Sequence, residues 1–421
     1  MKYLIKQATV IDPTSTLHQQ VLDLLIHDGK IVVIAPNIPS EDALILTFPN
    51  LHVSIGWLDI GVQTGEPGLE QREDLQSVTQ AAATGGFTAI AVFPNTQPVV
   101  HSRTDILFFR NFAKHNLVEL FPIGAVTWNT DGKDISEMYD MYQFGAVAFS
   151  DGKQSIQHAG VMLRALEYVK SFDGIIVNHP HDQMIAADGQ MHEGTMSTTL
   201  GLPGIPRLAE ELMLYRDLEL LAYTQSRLHV QNISTANSVA MIRQAKQKGL
   251  RVSAAVSAMN LALTDEALDG FQVQCKVQPP LREWSDIYAL IEGLKDGTID
   301  TITSNHVPLE LEAKMLEFPY AKTGAVGLET AFAVAHTALG AHYSLSDLIT
   351  CLTQKSRTLL DIAIPKIAVG ESANLTLFDP TKVWMFERQA IRSKSKNSPF
   401  IGKEFKGKVL GIIRNDQVML A

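Results

Sequence analysis

The feature that most constrains the fold is an alternation of short apolar runs with helical patterns through the middle of the chain. Most runs are followed by a segment with helical spacing, as at residues 74–83, 105–115, 160–169 and 236–248. Apolar strands joined by helices predict a parallel sheet that is buried on both faces. Eight such strands over roughly 250 residues fit a closed (β/α)8 barrel better than an open sheet. The eight runs are residues 57–62, 87–93, 120–126, 146–149, 174–177, 228–233, 252–256 and 299–303.

The two ends of the chain have a pattern that is typical of antiparallel β structure. Residues 23–27 and 31–34 flank Asp28-Gly29, a pair that favours a two-residue hairpin turn because both turn positions need a positive φ. Toward the C-terminus, residues 373–378 and 408–413 predict further strands. We therefore expect the two ends to assemble into one small sheet domain beside the barrel.

These patterns predict an α/β protein of two parts. A TIM-type barrel is expected at residues 54–364, and a small β-sandwich domain is expected to combine residues 1–53 with residues 365–421. The formal net charge of -10 argues against a surface for nucleic acid or for an anionic membrane. The two cysteines, Cys275 and Cys351, are far apart, which excludes a disulfide framework and a cysteine zinc site. We expect no signal peptide, no membrane span and a cytoplasmic location.

Polar residues follow the predicted strands at their C-terminal ends, which is where the chemistry of such barrels takes place. Polar groups that cap strands and open loops would give the same pattern, so position alone does not separate binding residues from structural ones. The residues are Asp59, Gln63, Asn95, Asp151, His179, His181, Asp182, Asn232, Asn305 and His306.

A set of short motifs is spread over almost the whole chain. They include Glu66-Pro67-Gly68, Pro94-Asn95-Thr96, Phe149-Ser150-Asp151-Gly152, Pro279-Pro280-Leu281-Arg282, and residues 82–88, 200–206, 324–330 and 396–400. With these motifs the chain resembles the dihydroorotases of the cyclic amidohydrolase family. The resemblance implies a (β/α)8 barrel with a small β domain. It also implies a zinc centre whose bound hydroxide attacks a cyclic amide while a carboxylate moves the proton.

Most residues that this resemblance implies for the zinc centre are replaced. Gly61 and Gln63 stand where the family has a His-x-His pair, and Gly65 stands where it has an arginine that binds a substrate carboxylate. Asn232 occupies a histidine position. Asn305 occupies the position of the aspartate that is both metal ligand and general base, and an amide has no usable proton equilibrium near neutral pH.

Further replacements affect the remaining positions. Leu309 takes the place of a histidine, and Gln278 takes the place of an asparagine ahead of Pro279-Pro280. Only Asp151 and His179 are of the residue type that the resemblance implies for its six metal positions. We interpret these two residues as vestigial ligands. The expected substrate-pocket residues are Asn95, Gln278 and His306.

We therefore interpret the chain as a pseudo-dihydroorotase with no catalytic residue and no cofactor, because Asn305 occupies the position of the base. The resemblance implies a role in pyrimidine biosynthesis, as a structural or assembly partner of aspartate transcarbamoylase, and a homodimer.

Two alternatives remain at this point. In the first, His179-Pro180-His181 and Asp151 hold one zinc ion, because side chains at i and i+2 of an extended segment share a face. His306 would be a further ligand, and the protein would be a repurposed mononuclear amidohydrolase acting on another cyclic amide. In the second, the chain is an ordinary dihydroorotase with a shifted motif, but only His52 lies near the first strand. A dihydropyrimidinase-like enzyme is disfavoured because its carbamylated lysine would stand where Asp151 does.

Overall fold

The computed structural model describes residues 2–39, 42–114 and 116–421. The strands, in chain order, are β1 (Lys2–Val10), β2 (Val21–His27), β3 (Lys30–Ala35), β4 (Leu44–Leu46), β5 (His52–Ile55), β6 (Trp57–Val62), β7 (Phe87–Val92), β8 (Glu119–Gly124), β9 (Ala148–Phe149), β10 (Ile176–Asn178), β11 (Met191–His192), β12 (Gly204–Ile205), β13 (Leu228–Val230), β14 (Val252–Ser257), β15 (Thr301–Thr303), β16 (Asn374–Met385), β17 (Glu404–Arg414) and β18 (Gln417–Leu420).

The helices are α1 (Leu75–Thr84), α2 (Arg103–Ala113), α3 (Met138–Gln143), α4 (Ala159–Lys170), α5 (Gln183–Ala186), α6 (Thr195–Leu200), α7 (Leu208–Thr224), α8 (Ala236–Gln247), α9 (Ala258–Ala262), α10 (Trp284–Lys295), α11 (Ala331–Leu339), α12 (Leu345–Leu352) and α13 (Gln354–Leu359). The second predicted helix is α2; His115, its expected last residue, lies outside the described residues. Within the described parts of the chain, no helix is both long enough and apolar enough to cross a membrane.

The central sheet is the predicted barrel. Its strands run parallel in the order β15-β14-β13-β10-β9-β8-β7-β6. Every residue of β6 and β7 is buried, as expected for strands covered on both faces. Two hydrogen bonds connect the segments at β6 and β15, the two end strands of this order. Ser304 N donates to the Asp59 side chain at Oδ1 over 3.1 Å, and Gln63 N donates to the His306 backbone carbonyl over 3.1 Å.

Several strands end earlier than the apolar runs predict. The run at residues 228–233 gives a strand only as far as Val230, because Asn232 has a φ of 57° and leaves the extended region. Asn305, two residues after β15, has a φ of 51°. Asparagine tolerates this left-handed conformation better than most residues, so both asparagines turn the chain at the C-terminal end of the barrel.

Strands from both ends of the chain form a second sheet, in the order β18-β17-β16-β5-β1-β2-β3, with β4 paired to β1. The predicted hairpin is confirmed: β2 and β3 are joined by Asp28 with a φ of 48° and Gly29 with a φ of 75°. Trp57 of the barrel connects the two parts. Its ring lies 5.5 Å from Phe378 of β16 and 4.9 Å from Phe332 of α11, measured between centroids.

Candidate functional site

The C-terminal ends of the barrel strands surround a cavity of about 270 Å³, which we call the barrel mouth. It is lined by Lys153, His181, Gly189, Gln190, Ile205, Val277, Gln278, Asn305, Val307, Thr323 and Gly324. Among these described lining residues there is a cation but no carboxylate. Of the three predicted substrate-pocket residues, Gln278 lines the mouth, whereas Asn95 and His306 are not among its lining residues.

Lys153 lines the mouth and is not among the residues that the sequence predicts for the site. Its ammonium group donates a hydrogen bond to Asn305 Oδ1. Burial lowers the pKa of Lys153 to about 8, although the nearby Asp59 carboxyl opposes this shift. The sequence does contain a signal for this residue, because the lysine directly follows Asp151-Gly152 at the C-terminal end of a barrel strand.

Asn95 holds the loop that carries Lys153. Its Nδ2 donates to the Asp151 carbonyl at 3.0 Å, and its Oδ1 accepts from Lys153 N at 3.1 Å. Gly152 has a φ of +63°, and a Cβ at this position would overlap Asn95 Oδ1. Both ends of the Asn95 amide are therefore used by the backbone of residues 151–153.

The Asp151 carboxylate is bound to the end of strand β8. Its Oδ1 accepts from Val126 N at 3.0 Å and from Thr127 N at 2.9 Å, and its Oδ2 accepts from Thr127 Oγ1 at 2.6 Å. Burial raises the pKa of Asp151 to about 6. Both carboxylate oxygens thus have protein partners and hold the β8 end against the β9 end.

His179 and His181 lie side by side with stacked rings, 6.2 Å apart between centroids. His179 Nδ1 lies 3.1 Å from the Gln231 carbonyl, so Nδ1 carries the hydrogen, and the buried Nε2 has no hydrogen-bond partner. Burial and the Lys153 charge lower the pKa of His179 to about 3, so its imidazole is neutral. His181 Nδ1 accepts from Gln278 Nε2 at 2.8 Å.

The neutral amides at the mouth form one network. Asn232 Nδ2 donates to Asn305 Oδ1 at 3.2 Å, and Asn232 Oδ1 accepts from Thr303 Oγ1 at 2.7 Å. Asn305 Nδ2 donates to the Gln278 carbonyl at 3.1 Å. Each of the two asparagines uses both its amide nitrogen and its amide oxygen, as buried polar groups require.

Gly61 and Gly65 are packed too closely to carry the side chains that the resemblance implies. Gly61 has a φ of +83°, and a Cβ there would lie 2.6 Å from Gln231 Nε2 and 2.7 Å from Phe93 Cε2. A Cβ at Gly65 would overlap the Leu69 carbonyl oxygen. A histidine or an arginine at these positions therefore requires the backbone to move.

His306 is not among the lining residues of the mouth and is fully buried. Its Nδ1 accepts from Gly327 N at 3.3 Å, and its Nε2 lies 3.5 Å from Glu73 Oε2. Burial would raise the Glu73 pKa, but the His306 imidazole and the hydroxyls of Ser393 and Ser77 outweigh burial and lower it. Glu73 and His306 are thus part of a structural network behind the site.

The residues at the mouth do not fit a zinc pair. Zinc needs imidazole nitrogen, carboxylate oxygen or thiolate ligands, and at the implied positions only His179 Nε2 is an available ligand atom. The Lys153 charge lowers the pKa of His179, and the same charge would repel a metal cation at that imidazole. Leu309 packs with Val307 and Ala313 in a small apolar cluster. Asp151, His179 and His181 do not bring three ligand atoms together, so the geometry does not favour the mononuclear alternative either.

In the described part of the chain, one group of three side chains does bring possible ligand atoms within 4.8 Å of one another: His192, Asp265 and Glu283. His192 Nδ1 lies 3.0 Å from Arg282 Nη1, which can only donate, so Nδ1 accepts and Nε2 carries the hydrogen. A protonated Nε2 is a donor toward Glu283, whose Oε2 lies 3.9 Å away, and not a metal ligand.

Comparison with known proteins agrees with this fold and with the motifs. Residues 52–238 match the family model described as dihydro-orotase-like. A dihydroorotase from Syntrophus aciditrophicus is 41% identical over 414 residues, covering 97% of this chain and 97% of the relative. One from Pelotomaculum thermopropionicum is 41% identical over 409 residues, covering 97% and 96%. The L-hydantoinase (dihydropyrimidinase) structure from Arthrobacter aurescens shares the fold, with a TM-score of 0.86 at 24% identity over 99% of this chain and 96% of that chain. The chain therefore belongs to the dihydroorotase-like family.

Proposed function

We propose that this protein is a pseudo-dihydroorotase of pyrimidine biosynthesis: a cytoplasmic, homodimeric member of the family that has lost the metal-dependent hydrolysis. The observation that carries the proposal is the contact between Lys153 and Asn305. A fixed ammonium group stands at the strand ends where the family resemblance implies metal ligands and a carboxylate base. This arrangement supplies a positive charge without an open coordination site.

The proton chemistry supports the same proposal. Hydrolysis of a cyclic amide needs a group that takes a proton from water and gives it to the leaving nitrogen. The Asn305 amide cannot do this. Asp59 is 1% exposed and accepts hydrogen bonds from the backbone and the hydroxyl of Ser304. Although burial raises the pKa of Asp59 to about 6, its carboxyl has no access to a substrate in the mouth.

The activity is tested with the purified full chain, loaded with zinc and assayed for dihydroorotate hydrolysis and for ring closure in the reverse direction. The dihydroorotase from Syntrophus aciditrophicus, prepared in the same way, is the positive control. We expect no turnover above buffer and much less than one equivalent of retained zinc. Turnover that depends on added metal would contradict the proposal.

The second part of the proposal is a structural role as the partner of aspartate transcarbamoylase. It is supported by the retention of a complete barrel and β domain in a chain whose site does not suit the family's chemistry. Co-expression with the aspartate transcarbamoylase of the same organism tests it, using light scattering after size-exclusion chromatography. We expect one complex that contains both chains and a more heat-stable transcarbamoylase activity. Separate elution with unchanged transcarbamoylase stability would reject this role.

A further inference from the structure

A second cavity lies at the opposite end of the barrel, where the strands begin. It has a volume of about 860 Å³, and we call it the basal groove. Its lining includes Glu119, the first residue of β8, and Arg227, which precedes β13. Asn374 and Arg414 of the second sheet also line it. The basal groove is therefore separate from the mouth and lies between the barrel and the β-rich domain.

Arg357 of α13 lines this groove and is a buried cation with no carboxylate in direct contact. The residue is 2% exposed, and it forms no ion pair with any carboxylate in the described parts of the chain. Its Nη2 donates to the Gly56 carbonyl at 3.2 Å and its Nη1 to the Ala363 carbonyl at 3.4 Å, while the buried Nε has no partner. Burial lowers the pKa of Arg357 to about 10. A buried guanidinium with unused donors is costly unless an anion satisfies it.

Two more arginines surround the nearest carboxylate. Arg414 Nη2 lies 3.2 Å from Glu119 Oε2, and Arg110 Nη1 lies 3.9 Å from Glu119 Oε1. The Glu119 carboxylate also interacts with Arg357 electrostatically, without direct contact, so three guanidinium groups share one carboxylate here. The other charged residues of the lining offset part of this excess: Asp173 and Asp361 pair with Arg227, and Lys366 and Glu371 carry one charge of each sign. The lining as a whole has five cations and four carboxylates, and Asp173 is also paired with Arg251 outside the groove. The positive cluster is unusual in a chain whose net charge is -10.

Aromatic side chains line the same groove. Phe121, Tyr142 and Phe172 are among its lining residues, and the rings of Tyr142 and Phe172 lie 4.8 Å apart between centroids. Tyr142 is 43% exposed, so part of its ring is free to contact a ligand. Arginine donors suit the oxygens of a phosphate, and aromatic faces suit a planar ring.

We propose that the basal groove binds a phosphomonoester that carries a planar ring, the class to which nucleoside monophosphates belong. Its phosphate oxygens accept hydrogen bonds from Arg357 and Arg414, and its ring packs on Tyr142. The cavity volume is in the range that holds ligands of this size. This site does not depend on the chemistry of the mouth, so it stands whether or not the protein hydrolyses dihydroorotate.

The test is calorimetric titration of the full chain with phenyl phosphate, inorganic phosphate and phenol, at constant ionic strength set with chloride. We expect phenyl phosphate to bind, inorganic phosphate to bind more weakly and phenol not to bind. The Arg357→Gln variant is expected to lose at least about tenfold in affinity for phenyl phosphate, as expected for loss of a charged hydrogen-bond donor.

Arg414→Gln is the second variant, because Arg357 is buried and its replacement can impair folding, whereas the Arg414 side chain is 18% exposed. Arg243→Gln removes a surface ion pair with Asp296 elsewhere and should bind phenyl phosphate as the unmodified chain does. Absence of phenyl phosphate binding, or equal affinity in the Arg414→Gln variant and the unmodified chain, would overturn the proposed site. Equal affinities for the two phosphates would overturn the assignment of a ring-bearing ligand.

Discussion

The ammonium group of Lys153 donates a hydrogen bond to the side-chain oxygen of Asn305, although the two residues are 152 positions apart in the chain. Asn305 Oδ1 also accepts from Asn232, so one amide oxygen binds a cation and a second amide. The family resemblance implies an aspartate and a histidine at these two asparagine positions. A side chain of this protein therefore provides the positive charge at the mouth.

The first prediction concerns Gly61, the first position of the lost His-x-His pair. Gly61→His should destabilise the fold by at least about 2 kcal/mol, because a positive φ is unfavourable for histidine and its Cβ would crowd Gln231 and Phe93. Urea unfolding measures this loss. Gln63→His is the matched control and should cost much less stability. Gln63 does not have a positive φ, and its side chain makes no hydrogen bond that this change would break. Equal losses in the two variants would contradict the prediction.

The second prediction concerns Asn95, which the sequence predicts as a substrate contact. Asn95→Ala should lower the free energy of unfolding by about 1–3 kcal/mol, because the Asp151 carbonyl and Lys153 N lose their partners. Asn111→Ala, which removes an exposed amide on α2, is the control and should change stability little. If Asn95 acted only on a ligand, the two variants would unfold at the same urea concentration.

The sequence predicts the barrel well because its signal is local. Each buried strand followed by a helix is visible in its own stretch of residues, and so is the Asp28-Gly29 hairpin. The mouth is predicted only in part, because its contacts join distant segments. The direction of the Asp151 carboxylate depends on Thr127, and the role of Lys153 depends on Asn95 and Asn305. No local pattern shows that Asn95 binds a loop and not a ligand, or that Gly61 has a positive φ.

The third prediction concerns Asp151, which the resemblance implies as a metal ligand. Asp151→Ala should cost about 2–4 kcal/mol of stability, because Val126 N and Thr127 N lose their buried acceptor. Asp151→Asn keeps one acceptor oxygen for both N–H groups and should cost less. Metal content, measured by elemental analysis after zinc loading, should be the same in both variants and in the unmodified chain. A lower zinc content in either variant would show that Asp151 does bind metal.

The fourth prediction uses pH and a histidine outside the mouth. Burial lowers the pKa of His229 to about 3, and its ring is held by Ser253 Oγ at 2.9 Å and Gln231 Oε1 at 3.1 Å. The unfolded chain takes up a proton at this residue near pH 6.5 and the folded chain does not. The stability that neutral His229 contributes is therefore present above pH 6.5 and is lost as the pH falls toward 3.

The His229→Gln variant does not have that loss. Between pH 7.5 and pH 5, its free energy of unfolding should therefore fall less than that of the unmodified chain. The difference should reach up to about 1.4 kcal/mol per pH unit below pH 6.5. Asp59 and Asp151 act in the opposite direction, because their raised pKa of about 6 means that the folded chain gains protons first as the pH falls. Asp59 and Asp151 contribute equally to the His229→Gln variant and to the unmodified chain, so their contribution cancels when the two stabilities are subtracted. Asn111→Ala, which removes an exposed amide and no titratable group, is the control and should follow the unmodified chain at both pH values. If the His229→Gln variant and the unmodified chain lost the same free energy between the two pH values, the His229 imidazole would have to be protonated in the folded state.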